Sequence, residues 1–249
     1  RDYYASRGLG DVYKRQIIEG ATIDNLDQGA IRLAREKYKE KMAQEPISKE
    51  VDGMSDEQFL TKMKLLIGGK VTNAAMLLLG NSDFDYLFTA APSIMWRLYG
   101  VDGTDKDYAI FKIPFINVVD KVFAKVRNLT YRYMPNQMTL FPMETEQYDS
   151  WLMRELLNNS IAHSNYQLGG RIYVNEFDDK IKITNPGDFI PQRIENVLEV
   201  SYNPPFYRNQ LLAEAMVAFH MIDTATLGIR RAVSYTHLRV HETRSNLVC

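Results

Sequence analysis

From residue 27 to 43, in "DQGAIRLAREKYKEKMA", Ile31, Ala34, Tyr38 and Met42 recur every three or four positions among alternating charges. That spacing predicts an amphipathic surface helix. The segment "PISKEVDGM" has a proline, a glycine and no periodicity, and is expected to connect. Ser55 with Gln58 three residues on forms a capping-box pattern that opens a second helix. Gly68-Gly69 is expected to close that helix, and Thr72 to cap a third through "NAAMLLL" to Gly80. The pair makes a packing hairpin, or a winged-helix relative, although no basic residues line a recognition face.

Further along, "SIMWRLYG" and "DYAIFKI" predict strands, "FINVVDKVFAKVRN" an amphipathic helix and "LTYRYM" another strand, together a small α/β unit. A turn-rich boundary, "PNQMTLFPME", follows near 135 to 144. Glu144, Glu146 and Asp149 then favour a helix N-terminus, and the helix expected over roughly 146 to 164 buries Met153, Leu156, Leu157 and Ile161. After Gly169-Gly170, "RIYVNEF" and "KIKIT" form a hairpin around Asp178-Asp179 with Ile181 and Ile183 inward, and Asn185-Pro186-Gly187 ends its second strand.

The helix "RELLNNSIAH" spends polar residues oddly. At 100° per residue, Glu155 and Asn159 lie one turn apart with Asn158 beside them, and all three are expected to face away from the apolar side. An amide oxygen suits magnesium, which binds hard oxygens and keeps several waters, and a carboxylate one turn earlier can polarise a water for attack on a phosphate. A solvated polar face gives the same spacing.

Composition narrows the classes. The chain of 249 residues is 45% hydrophobic, enough to bury a proper core. Its longest apolar run, residues 74 to 80, is far short of the roughly 20 residues a membrane helix needs. The opening "RDYYASRGLGDVYKRQ" and closing "VSYTHLRVHETRSNLVC" resemble translated sequencing adapter. Residues 1–16 and 233–249 are accordingly set aside, and the natural protein is expected to continue in both directions. Those ends carry net +2 and +1, so of the chain's −1 the interior holds −4. A mildly acidic interior lacks the broad basic footprint of a domain that grips a phosphate backbone alone. One local exception is the interleaving of Lys121, Lys125, Arg127, Tyr131, Arg132 and Tyr133, a pattern suited to single-stranded nucleic acid or to an ordinary solvated face. The only cysteine, Cys249, lies in the closing segment, which argues against disulfides and a structural zinc site.

The order of these motifs, "RELLNNSIAHSNY", "GGRIYVNEFDDKIKITNPGDFIP", "YRNQLLAEAM" and "MIDTATLGIRR", resembles the nucleotide-binding domain of the GHKL ATPases. It is closest to the RecG C-terminal-like branch found in transcriptional regulators behind a Schlafen-type AlbA domain. The resemblance spans about 25 to 231. It implies a GHKL (Bergerat) two-layer α/β sandwich over 135–232, preceded over 17–134 by a small helical and α/β linker region, itself following an AlbA-type domain. It also implies ATP and Mg2+ as cofactors, with Glu155 as general base and Asn159 as metal ligand. Asn185 takes the place of an Asp that reads adenine, and Gly187 lets the backbone approach the base. Gly228 belongs to the phosphate-cradling box, in which Thr226 replaces the first glycine, and Arg208 reaches a phosphate from the lid. His163, Asn165 and Tyr166 stand where the branch has His, Asp and Tyr.

The function this implies is a cytoplasmic ATP-binding regulator, a slow Mg-dependent ATPase at most, possessing a DNA- or RNA-binding module upstream and capable of dimerising. The alternative is a nucleotide-free interaction or dimerisation module with a degenerate pocket, which Thr226 favours.

Overall fold

The computed structural model describes residues 16–133, 143–188, 208–222 and 246–248. Its first helix, α1 (Gln28–Lys41), is capped by Asp27, whose Oδ1 accepts from the Ala30 N–H at 2.7 Å. It buries Ile31, Ala34 and Tyr38, so the predicted stripe is seated in the core. Helix α2 (Asp56–Lys62) opens with the full capping box: the Ser55 hydroxyl accepts from the Gln58 N–H, and Gln58 Oε1 accepts from the Ser55 N–H at 2.8 Å.

Gly68-Gly69 does something other than close that helix. The helix stops at Lys62, and the glycines, with φ of 58° and 74°, turn a tiny hairpin between β1 (Leu66–Ile67) and β2 (Lys70–Val71). Two consecutive positive φ values are what a two-residue hairpin turn demands and what glycine supplies without steric cost. Thr72 then caps α3 (Asn73–Leu79), accepting from Ala75 N–H and donating to the Leu65 carbonyl.

The main sheet combines two hairpins. Strands β3 (Ser93–Tyr99) and β4 (Asp105–Lys112) pair antiparallel, as do β7 (Ile172–Glu176) and β8 (Lys180–Thr184), and β3 joins β7 in parallel with Ile94 opposite Ile172. Strands expected on either side of residue 135 therefore share one sheet. A short strand, β9 (Asn246–Val248), lies along the edge of β8, giving the order β4-β3-β7-β8-β9. Between the hairpins, α4 (Val118–Phe123) is followed by β5 (Thr130–Tyr133), which pairs with β6 (Met143–Glu146). The acidic run at 144–146, expected to start a helix, is thus a strand whose Glu144 meets Arg132 across the ladder. Asp149 alone caps α5 (Ser150–His163), accepting from the Leu152 N–H at 2.9 Å. The last helix among the described residues is α6 (Gln210–Ala218).

Alternation decides which sheet face is covered. Ile94 and Trp96, Ile172 and Val174, Ile181 and Ile183 all point into one buried cluster that also takes Leu152, Leu156, Leu157 and Ile161 from α5, together with Leu212 and Met216 from α6. The helices therefore pack on one face, a two-layer α/β sandwich. The other face carries the cross-strand rows Tyr108, Arg97, Asn175, Lys182 and Ile110, Met95, Tyr173, Thr184.

One charge sits among the apolar inward positions. Glu176, 1% exposed, accepts from the Trp96 indole N–H at 2.9 Å and from Arg127 Nε at 2.7 Å. Arg127 also reaches Asp178 and the Phe177 carbonyl, tying the segment after α4 to the β7-β8 hairpin. A buried carboxylate persists only with such partners.

Candidate functional site

The three polar residues of α5 do not share one face. Asn158 is 1% exposed and donates Nδ2 to the Met221 carbonyl at 2.7 Å, fixing the chain that leaves α6. The helical arithmetic explains the split: Asn159 lies 40° beyond Glu155, whereas Asn158 lies 60° to the other side, toward Leu157 and Ile161. Glu155 is buried and Asn159 half-buried, and Asn159 donates Nδ2 to Glu155 Oε1 at 3.2 Å. With its nitrogen spent on the carboxylate, the planar amide presents its oxygen on the opposite edge, where a hard cation is best served. Among the described residues, no group of three His, Cys, Asp or Glu side chains is placed to share a metal ion. A divalent cation here would draw on Asn159 with a ligand's own oxygens and water, a donor set that fits magnesium.

One turn further on, α5 ends in a cluster of backbone carbonyls that the helix cannot satisfy. Two consecutive residues take three of them. Asn209 donates Nδ2 to the Ala162 and Ser164 carbonyls at 2.9 and 2.7 Å. Arg208 donates Nη1 to the His163 carbonyl and Nη2 to the Asp188 carbonyl, both at 3.0 Å. The cation at the helix C-terminus is therefore Arg208. His163 is held below the usual imidazole pKa by burial and then by the Arg208 charge, so its neutral form is favoured.

The turn after β8 closes onto the same place. Asn165 N–H donates to the Pro186 carbonyl at 2.8 Å, and Pro186 packs against Gly170, where a Cβ would collide with its ring. Gly187, at φ 113°, adopts a conformation L side chains avoid, and a Cβ there would overlap the Arg208 guanidinium. Asn185, half-buried at the strand end, has Nδ2 3.5 Å from the Pro186 carbonyl. Asn165 caps the short turn Tyr166–Leu168 by accepting from Gln167 N–H, and the Tyr166 hydroxyl donates to the Ile161 carbonyl at 2.8 Å. Burial drives the Tyr166 pKa far upward, keeping that proton in place.

The structure thus gathers Gly187, Arg208 and the end of α5, with Asn185 adjoining and Glu155-Asn159 one to two turns back. Thr226 and Gly228 lie outside the described residues. Asn209 escaped the sequence reading although it directly follows Arg208. Its signal was faint: an amide just ahead of an apolar helix reads as an N-cap, yet it serves the end of a different helix. The 121–133 segment, by contrast, is largely neutralised: Lys125 meets Asp107 at 3.6 Å, Arg132 meets Glu144, and Arg127 is consumed by Glu176.

Comparison with known proteins bears on this region. Residues 169–243 match the family described as "Putative ATP-dependent DNA helicase recG C-terminal". This part of the chain is similar to an ATPase-like domain. The match takes in β7, β8, Asn185, Gly187, Arg208, α6 and Gly228, and begins after Glu155 and Asn159. Residues 8–86 match a domain of unknown function, DUF8451. No curated protein matches the chain. Among solved structures, the DIP2311 protein from Corynebacterium diphtheriae aligns at a TM-score of 0.67 with 20% identity, over 89% of this chain and 42% of its own. That likeness concerns the α/β fold, and this chain spans under half of that protein's length. No helix among the described residues is long and apolar enough to cross a membrane.

Proposed function

We propose that the chain binds ATP with Mg2+ beside α5 and the turn after β8, as the nucleotide-responsive part of a cytoplasmic transcriptional regulator whose DNA- or RNA-binding module lies upstream. The observation that carries this reading is the Glu155-Asn159 bond on α5, immediately ahead of a segment similar to an ATPase-like domain. Asn159 would hold the cation. When bound, the ion would neutralise phosphate charge and orient the triphosphate. Glu155 would accept a proton from water, its orientation fixed by the Asn159 amide. Asn185 offers a neutral acceptor for the adenine amino group, and Gly187 brings main chain close to the base. Turnover is slow, as befits a switch.

Calorimetry with ATP, with and without Mg2+, tests the reading. Binding should require Mg2+ and be lost in Asn159→Ala, while Glu155→Ala should bind ATP with little change and lose turnover. Absence of ATP binding by the folded chain would sink it.

One observation favours a second reading, an interaction module without nucleotide. The Arg208 guanidinium occupies the space over Gly187 that a base would approach. Under the ATP reading, Arg208 leaves Gly187 to meet a phosphate, and Arg208→Ala weakens nucleotide binding. Under the second, the substitution leaves ATP unbound.

A further inference from the structure

The face of the main sheet opposite α5 and α6 carries exposed tyrosines among cations. Tyr108 on β4 is 63% exposed and Tyr173 on β7 is 38% exposed. Arg97 lies between their strands, Arg171 precedes β7, and Lys182 is two strands over from Arg97 in the same row as Tyr108. No carboxylate stands in either central row. Arg97 is partly engaged by Asp105 at 3.6 Å, but among the described residues neither Arg171 nor Lys182 has an acidic partner within ion-pair distance. Arg171 rests instead on Met95, its Nη1 3.7 Å from the sulfur.

By contrast, Arg35, Arg127 and Arg132 each meet a carboxylate within 2.7 Å, and Arg154 and Arg208 donate to main-chain carbonyls. A sheet face that leaves Arg171 and Lys182 without a described acidic partner and two tyrosine rings exposed is poorly suited to solvent alone. Its charge complement is a polyanion, and its rings ask for flat apolar partners. Tyr108 and Tyr173 are two strand spacings of about 4.8 Å and two residues of about 3.4 Å apart, hence roughly 12 Å. That separation suits two bases of an extended strand with another between them. Paired bases are already stacked within a duplex and cannot lie on the rings.

We infer that this outer sheet face binds single-stranded nucleic acid, with Tyr108 and Tyr173 stacking on bases and Arg97, Arg171 and Lys182 following the phosphates. The inference is independent of the ATP reading, since α5, which carries Glu155 and Asn159, packs on the opposite face.

The test is fluorescence anisotropy of a labelled oligothymidylate titrated with the 249-residue chain at several salt concentrations. Binding should weaken with salt at a log–log slope of about −2, the value for roughly three phosphates neutralised on a single strand. Tyr108→Ala and Tyr173→Ala should each weaken it roughly tenfold, with Tyr→Phe at either site restoring it. Arg171→Glu with Lys182→Glu should abolish it, while Lys121→Glu, on the opposite side, should have little effect. Because these side chains sit on the surface, unchanged circular dichroism melts will separate lost binding from lost folding. Three outcomes overturn the inference: no binding at low salt, equal binding of polyglutamate, or binding that the tyrosine substitutions leave intact. Tighter binding of the duplex of the same sequence would also overturn it, by removing the stacking role.

Discussion

Two arginines tie loops to this core, and they do so by different physics. Arg127 reaches a carboxylate that is 1% exposed, with a tryptophan N–H on its second oxygen. Arg208 reaches only main-chain carbonyls, at the end of α5 and beyond β8. In the first case removing the cation strands a charge in a low-dielectric interior, so the contact is permanent. In the second, the acceptors are neutral and near the surface, and water or a ligand can replace the guanidinium at modest cost. The contrast separates a structural joint from an exchangeable one, and the exchangeable one lies where a nucleotide is proposed to bind.

Breaking the permanent joint should have the largest effect. Arg127→Met is expected to cost about 3 kcal/mol, the lower end for an orphaned buried partner because the arginine is itself 34% exposed. Urea melts will measure it, and a loss below about 1 kcal/mol would mean water already reaches Glu176. Next comes Gly187→Ala, where the unfavourable φ costs of order 1–3 kcal/mol and the new methyl displaces Arg208. Hydrogen exchange at 162–165 should accelerate in this variant. Unchanged protection would show that Arg208 contributes nothing to the helix end.

Asn209→Ala should cost about 1–2 kcal/mol for its two carbonyl bonds, again by urea melts, with the glutamine variant no better because its longer arm misplaces the amide. The smallest effect is a pH dependence. Since burial and Arg208 depress the His163 pKa, the unfolded chain takes up the proton more readily than the folded one. The stability from neutral His163 is therefore present above the ordinary pKa near 6.5 and is lost as pH falls through the depressed folded value. The difference in melting between His163→Gln and the parent chain should change between pH 7.5 and 5. A constant difference would show that His163 does not titrate with folding.

How much of this was legible beforehand depends on the range of the interaction. The α1 and α5 helices and the β7-β8 hairpin follow from local periodicity, and Ser55 and Thr72 cap where their side-chain chemistry says they should, whereas Asp149, read only as a favourable charge, is the N-cap. The misreadings have local causes too. Gly68-Gly69 satisfies a helix stop and a hairpin turn equally well, and only the partner strand, two residues long on each side, decides between them. Met143–Glu146 is acidic enough to begin a helix, but pairing with β5 overrides that preference. Asn158 shows how a 60° offset reverses a residue's role when both helix faces meet protein. Glu176 was nearly visible, since it continues the inward alternation of Ile172 and Val174. Nothing local names Trp96 and Arg127 as its partners. The Arg208-Asn209 contacts with the end of α5, more than forty residues from their acceptors, had no signature at all.

The parallel joining of β3 to β7 has a kinetic consequence. Each hairpin of the main sheet closes a short loop and can assemble early, but Ile94 finds Ile172 only after the whole intervening segment has been gathered in. The entropy of that closure precedes any reward from the contacts it makes. The pace at which this chain reaches its native state is therefore set by long-range seams, of which β3-β7 joins the two hairpins, while its helices, local in sequence, wait on them.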